Sequence, residues 1–408
     1  MDDSYPADKP RLCDGAAGTY FAKLGYNYKD SLEKWIIEHP EQLFDLQNGF
    51  IKSGSEIILT PTFTANPALL EKHGLDSRCE ELNAELARMT KENVGGRAII
   101  AGNIGPTNAA VEPYGDTSFT ELLTMYRRQA DALEPYVDMY WIETVTSISD
   151  MRAAVIACRD SGKPVYLTVS INDELVTYGN EVSPKAALIL LQELGVDAFG
   201  INCTPTSVIK EAMAELLPCA KIPLIAKPCC DIYDDDGNCT KVSPAEFAKD
   251  MAELLRRGVQ IVGGCCGTTA EHIAALKNVL PQYKAFDGEK EETDFIFMNE
   301  TQIFYLEPDT TEISEPLSCY PEMHEEISDM CGKNYDILLV EINSPDDAFD
   351  FAKSAHMATL PVMFFSENEL ALKMALMMYQ GRALVDSKSE IDEEVLKDIA
   401  DKYGAVVY

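Results

Sequence analysis

The feature that most restricts the fold is a series of eight short apolar runs, each followed at once by polar, glycine or cysteine residues. Arg11-Leu-Cys13 precedes Asp14-Gly15, Glu56-Ile-Ile-Leu59 precedes Thr60-Pro-Thr-Phe63, and Arg97-Ala-Ile-Ile-Ala101 precedes Gly102-Asn-Ile-Gly-Pro106. Asp138-Met-Tyr-Trp-Ile142 precedes Glu143-Thr144, Val165-Tyr-Leu-Thr-Val-Ser170 precedes Ile171-Asn172, and Ala198-Phe-Gly-Ile201 precedes Asn202-Cys203. Leu224-Ile-Ala226 precedes Lys227-Pro228, and Gln260-Ile-Val262 precedes Gly263-Gly-Cys-Cys-Gly267. Short apolar runs bounded by such residues read as buried strands. Amphipathic helical stretches lie between them, at 40–52, 118–134, 184–194 and 244–257, several opened by a Ser cap or an early proline.

Eight strands separated by helices span 253 residues from Asp14 to Cys266. That is the size of a (β/α)8 TIM barrel, about 250 residues. A doubly wound open sheet is the main competitor, but it does not need chemistry-bearing residues after every strand. In a barrel all eight carboxyl ends meet at one mouth, where active sites lie. The predicted fold is α/β, a (β/α)8 barrel over residues 1–285.

The chain carries a net charge of −34, which repels phosphate backbones and anionic lipid and argues against nucleic-acid or membrane partners. Hydrophobic residues at 46% and charged residues at 25% describe a folded protein rather than a disordered one. No apolar run approaches the ~20 residues of a membrane span. The start, MDDSYPADKP, lacks the basic-then-apolar pattern of a secretory signal, so a soluble, cytoplasmic protein is expected. The charge is uneven: residues 286–408 hold 28 acidic and 8 basic side chains. The change coincides with the charged segment 286–294, read as an acidic linker. Beyond it, strands at 335–342, 361–365, 383–385 and 405–408 alternate with helices at 344–356, 367–379 and 391–403. That pattern predicts a smaller, partial βαβαβαβ domain over 295–408. Met374, Met377 and Met378 are expected in its core.

Twelve cysteines in a chain without a secretion signal are expected to be free and mostly buried. Cys203 ends the sixth strand and Cys265 and Cys266 follow the eighth, so three thiols can meet over the barrel mouth. Three protein ligands with a fourth position open is the design of a catalytic zinc site. Gly263, Gly264 and Gly267 would let the backbone turn so that both neighbouring cysteines face the metal. Spacing alone equally allows three buried core cysteines. Cys229, Cys230 and Cys239 are either a second metal site or spare thiols in a decorated loop. Asp234-Asp-Asp236 lacks the spaced ligands and distal Glu of a calcium loop.

Asp14-Gly-Ala-Ala-Gly-Thr19, Gly102-Asn-Ile-Gly-Pro-Thr107, Ile142-Glu-Thr144, Gly200-Ile-Asn-Cys203 and Gly263-Gly-Cys-Cys-Gly-Thr-Thr269 together resemble the motif set of the homocysteine S-methyltransferase family. The match is best to the homocysteine-binding barrel of cobalamin-dependent methionine synthase, and it covers about residues 10–285. The resemblance implies that Cys203, Cys265 and Cys266 hold zinc and act through it. The metal would lower the thiol pKa of homocysteine, which then takes a methyl group to give methionine. It also implies that Asp14, Gly15, Thr60, Glu143 and Asn202 bind the substrate, Glu143 through its amino group. The implied donor is a methylcorrinoid (methylcobalamin) carried by a partner protein. Betaine or S-methylmethionine is the alternative, since Glu38-His-Pro-Glu41 also resembles the betaine enzymes. After the seventh strand the family often shows Pro-Asn-Ala-Gly where this chain has Pro228-Cys-Cys-Asp231, a departure on the donor or substrate side. The C-terminal region weakly resembles the opening of a pterin-binding barrel. It would serve as a truncated folate-type, docking or dimerisation element. A non-catalytic corrinoid-protein adaptor that retains the zinc site is the non-enzyme reading.

Overall fold

In the computed structural model, residues 9–233, 236–299, 302–307 and 310–408 are described. Eight parallel strands form one sheet: Arg11–Leu12, Ile57–Leu59, Ile99–Ile104, Met139–Val145, Val165–Val169, Ala198–Asn202, Leu224–Lys227 and Ile261–Val262. Each pairs with its sequence neighbour, and the eighth pairs with the first. A parallel bridge between Cys13 and Ile57 joins the first strand to the second, so the sheet curls into a nearly closed barrel. This is the expected TIM barrel.

The helices start where the sequence marks them. Ser118 caps Phe119–Leu133 and Ser243 caps Pro244–Arg257, each in a capping box closed by the Glu three residues on. The reciprocal bonds satisfy amide groups that the first helical turn would leave bare. Ser55 and Glu56 follow Pro40–Ser53, which ends at Gly54 with φ +108°, a conformation that glycine reaches without strain. Glu38-His-Pro-Glu41 lies at the break between helices Leu32–Glu38 and Pro40–Ser53, where the His39 ring stacks 4.5 Å from Trp35.

The core has two shells. Inside the barrel, Cys13, Ile57, Ala101, Met139, Trp141, Tyr166, Ala198, Ile225 and Ile261 pack together. Outside it, the other faces of the strands meet the helices in a larger cluster that includes Phe21, Leu86, Tyr126, Phe199 and Phe247.

The C-terminal region builds a second parallel sheet of five strands in sequential order: Leu317–Ser318, Leu338–Glu341, Val362–Phe365, Leu384–Val385 and Val406–Val407. Four strands were expected. The fifth, Leu317–Ser318, is too short to leave an apolar run and forms by pairing with Leu338–Glu341. Also unforeseen is an antiparallel pair, Ile296–Met298 with Ile303–Tyr305. Phe297 from this pair packs on Ile337, Leu339, Met363 and Leu384, covering one face of the five-stranded sheet. The segment 286–294 has no regular structure but is tied down: Lys185 and the Cys219 thiol both bond Glu291, and Lys221 bonds Asp294 at 2.8 Å.

The second sheet leans on barrel helices Ile148–Arg159 and Pro184–Leu194. Arg152, fully buried, donates to Leu376 O at 2.7 Å and to Met377 O and Gly381 O at 3.4 Å. These are carbonyls at or just beyond the end of helix Glu369–Met378, where a cation is welcome. Met377 packs against the barrel's core, while Met374 packs within its own region. Coverage on two sides explains the apolar run at 186–191, which is buried throughout.

Candidate active site

Residues two apart on a strand point the same way. Trp141 lies inside the barrel, so Glu143 does too; Ile225 carries Lys227 with it, and Ala101 carries Asn103. The outermost inward positions of several strands thus gather at the mouth. A register shift between the fourth and fifth strands, from Ile142 to Val145, bulges the chain at Glu143–Thr144. Bulges of this kind re-aim a side chain. Thr144 sits at φ +63° and Cys203 at φ +53°, left-handed conformations that cost a residue with a Cβ about 1–3 kcal/mol and are usually kept for function.

Cys203, Cys265 and Cys266 meet as the sequence predicts: their three sulfurs all lie within 4.8 Å of one another, and Cys203 Sγ is 3.4 Å from Cys266 Sγ. Among the described residues this is the one group of metal-ligand type. Gly267, at φ +80°, turns the loop that carries Cys265 and Cys266, and a Cβ there would stand 2.5 Å from Asp231. Hydrogen bonds from the Cys203 and Cys265 thiols pull the Cys266 thiol below the ordinary thiol range. Three convergent sulfurs fit a soft divalent cation such as zinc.

Beside the sulfurs lies a buried charged group. Lys227 Nζ is 2.8 Å from Glu143 Oε1, 3.9 Å from Asp14 Oδ1 and 4.8 Å from the centre of the Trp141 ring. Burial pushes the Asp14 carboxyl up to about 6 against the pull of Lys227, and it pushes Glu143 up in the same way. Asp14 Oδ2 accepts from Leu59 N at 2.9 Å. Asn103 Nδ2 donates to Glu143 Oε2 at 3.3 Å, and Asn202 Nδ2 donates to Thr144 Oγ1 at 2.7 Å. The amide oxygens of Asn103 and Asn202 are buried with no hydrogen-bond partner. Unsatisfied buried acceptors are expensive, about 1–3 kcal/mol each, and they call for a donor.

Asn202 Nδ2 lies 3.7 Å from Cys265 Sγ, and Glu143 and Asp14 meet at Lys227. At Gly15 a Cβ would lie 2.6 Å from Thr268 Oγ1, so the first-strand loop can seat against the eighth only with glycine there. Thr60 stands apart. Its hydroxyl is taken by Thr62 Oγ1 at 2.7 Å and by Asn103 N at 2.9 Å, which braces the second strand against the third. A cavity of about 420 Å³ opens between the first and eighth strand loops, walled by Ala16, Thr19, Tyr20, Phe50 and Thr268.

Sequence reasoning missed Lys227 and Asn103. Lys227 reads as a loop residue after the seventh strand, yet its place two residues beyond the interior Ile225 marks it as inward. Of the extra thiols, Cys229 and Cys230 are buried and Cys239 is exposed on a short hairpin. They join no metal-type group among the described residues. Asp234 and Asp235 of the calcium-like run lie outside the described residues.

Three thiols and buried carboxylates at the mouth of a parallel barrel define the class: an α/β barrel with a thiol-lined site. The sequence model described as Homocysteine S-methyltransferase matches residues 11–280, and this chain belongs to that family. It is 28% identical over 291 residues to "Homocysteine S-methyltransferase" of Escherichia coli (strain K12), covering 65% of this chain and 94% of that protein. It is 27% identical over 262 residues to "Methionine synthase" of Mycobacterium tuberculosis (strain ATCC 25618 / H37Rv), covering 59% of this chain and 22% of that one. Among solved structures, the metallated homocysteine methyltransferase MmuM from Escherichia coli superposes with a TM-score of 0.56 at 22% identity. That match covers 66% of this chain and 96% of that one, a likeness of fold. Among the described residues, no helix is long and apolar enough to cross a membrane.

Proposed function

We propose that this chain transfers a methyl group to the sulfur of homocysteine, giving methionine, with zinc held by Cys203, Cys265 and Cys266. The observation that carries the reading is the convergence of those three thiols beside a buried anionic pocket. When bound, zinc supplies a Lewis acid that lets the substrate thiol bind as thiolate near neutral pH, where a free thiol of pKa about 8.5 is mostly protonated.

The chain's own residues do the rest. Glu143 and the unpartnered oxygens of Asn103 and Asn202 are three acceptors, the number of N–H donors on one ammonium group. Asp14 adds a second carboxylate on the same side. These groups hold the amino end of homocysteine and leave its sulfur toward the cysteine loop. In the transfer the thiol has lost its proton, sulfur forms a bond to the methyl carbon, and the methyl–donor bond breaks with its electron pair left on the donor. No general base acts on the methyl, so in-line placement is the main demand. The five-stranded C-terminal sheet serves as a docking or dimerisation element, and the donor is a methylcorrinoid on a partner protein.

Cys266→Ala should abolish both zinc content and transfer from every donor. A zinc-loaded, fully active variant would overturn the assignment. Purified protein with zinc and homocysteine, offered methylcobalamin, betaine and S-methylmethionine in parallel, separates the enzyme from a non-catalytic adaptor. Robust turnover with any donor excludes the adaptor.

A further inference from the structure

Lys227 is the one charged residue of the buried group with no part in that chemistry, and it has an unusual set of neighbours. Its side chain is 2% exposed and points into the barrel from the end of the seventh strand. It meets carboxylates from two other strand ends, Glu143 at 2.8 Å and Asp14 at 3.9 Å, and the face of Trp141 at 4.8 Å. Burial alone would drive its ammonium to lose the proton, yet the carboxylates of Glu143 and Asp14 oppose this and hold it charged. With both carboxylates ionised, the trio of Asp14, Glu143 and Lys227 carries one net negative charge.

Two features recognise a quaternary ammonium or sulfonium centre in a protein: an aromatic face and an anionic wall. Such an onium has no N–H to give, so shape, π-density and charge must hold it. In this mouth the buried aromatic face next to the carboxylates already lies under the Lys227 ammonium. One of the two carboxylate charges is balanced by it as well. The single negative charge left matches one further cation, the ammonium of the amino-acid acceptor. Tyr28 and Tyr178, within electrostatic reach of Cys266 and Cys203, are 66% and 51% exposed, and cation–π contacts at exposed rings are worth only about 0.5–1 kcal/mol.

We infer that Lys227 is a specificity-determining residue: its ammonium fills the place an onium methyl donor would take, so the site accepts the acceptor's ammonium and excludes betaine-like or sulfonium donors. The inference rests on the proposed reaction and narrows its donor to one whose methyl is not carried on an onium centre. A positive side chain also explains why the pocket tolerates two carboxylates so near each other. Without a cation between them, two buried carboxylates compete for one proton.

The test is a set of calorimetric titrations into the zinc-loaded full chain: homocysteine alone, then betaine and S-methylmethionine, each with and without saturating homocysteine. Lys227→Met and Lys227→Gln are run beside the wild type. Both are neutral, and circular dichroism with zinc content shows which of them is folded. The expected result is no saturable onium binding to the wild type in either condition. The folded neutral variants should gain onium affinity by at least about tenfold, or about 1.4 kcal/mol. Onium binding by the wild type as tight as its homocysteine binding would overturn the inference. So would folded variants that gain nothing. Absence of homocysteine binding to the wild type would instead strike the proposed reaction, which the same titrations report separately.

Discussion

At the scale of single residues, the site is a balance between burial and charge. Asp14 has its carboxyl raised from 3.8 to about 6, chiefly by burial. The folded chain therefore keeps a proton that the unfolded chain releases. By linkage the Asp14 contribution is most favourable below about pH 4, declines as pH rises toward 6, and is constant above it. Binding runs the other way, because an ammonium needs the ionised form. Homocysteine affinity should rise as pH passes upward through about 6. Asp14→Asn should remove that step and weaken binding at pH 7.5 by about 2 kcal/mol, some thirtyfold in Kd. Calorimetric titration across pH 5–8 checks both, and an unchanged profile in the variant would show that another group sets it. Several of these residues were legible beforehand. Asp14, Glu143, Asn202 and the cysteines all stand within four residues of the end of an apolar run, and the polarity there is itself the signal. Asn103 and Lys227 were not, because each looks like an ordinary polar residue at a strand end until strand parity shows that it faces inward. Thr60 was legible as a strand-end residue, but its hydroxyl is spent on its neighbours.

At the scale of elements, caps and strand ends carry the information. The helix Pro244–Arg257 was readable to its ends because Ser243 and Pro244 open it and Gly258 closes it at φ +112°. Ser243→Ala should cost about 1 kcal/mol in chemical denaturation while leaving zinc stoichiometry at the wild-type value. Gly267→Val should behave differently. It places a branched side chain at φ +80° and against Asp231, so it should lower both stability and metal content, read by melting temperature and metal analysis. Retention of full zinc by that variant would show that the turn does not position Cys265 and Cys266. The strands that the sequence hid at this scale are ones that distant partners define. Leu317–Ser318 is two residues long, and the pair Ile296–Met298 and Ile303–Tyr305 exists because Phe297 has a sheet face to cover. Partners distant in sequence decide such elements, and local pattern does not report them.

At the scale of the whole molecule, a catalytic barrel carries a strongly acidic second sheet, and the two are joined by buried contacts as well as by the chain. Arg152 is the centre of that junction: a fully buried cation held by backbone carbonyls with no carboxylate partner within hydrogen-bond reach among the described residues. Burial draws its pKa down to about 10, still charged at neutral pH. Arg152→Ala should destabilise the chain by about 3 kcal/mol in urea unfolding, through lost bonds and unpaired carbonyls. It should also speed proteolysis within 286–294. Wild-type cleavage rates would show that other contacts hold the two parts together. The chemistry, however, lies at the mouth of the barrel, and X-ray absorption at the zinc edge of the metal-loaded protein, taken before and after adding homocysteine, reads its ligands. Three sulfur neighbours at about 2.3 Å are expected without substrate and four with it. Fewer than three sulfurs in the free protein, or no added sulfur on binding homocysteine, would rule out a three-cysteine zinc that takes the substrate thiol as its fourth ligand.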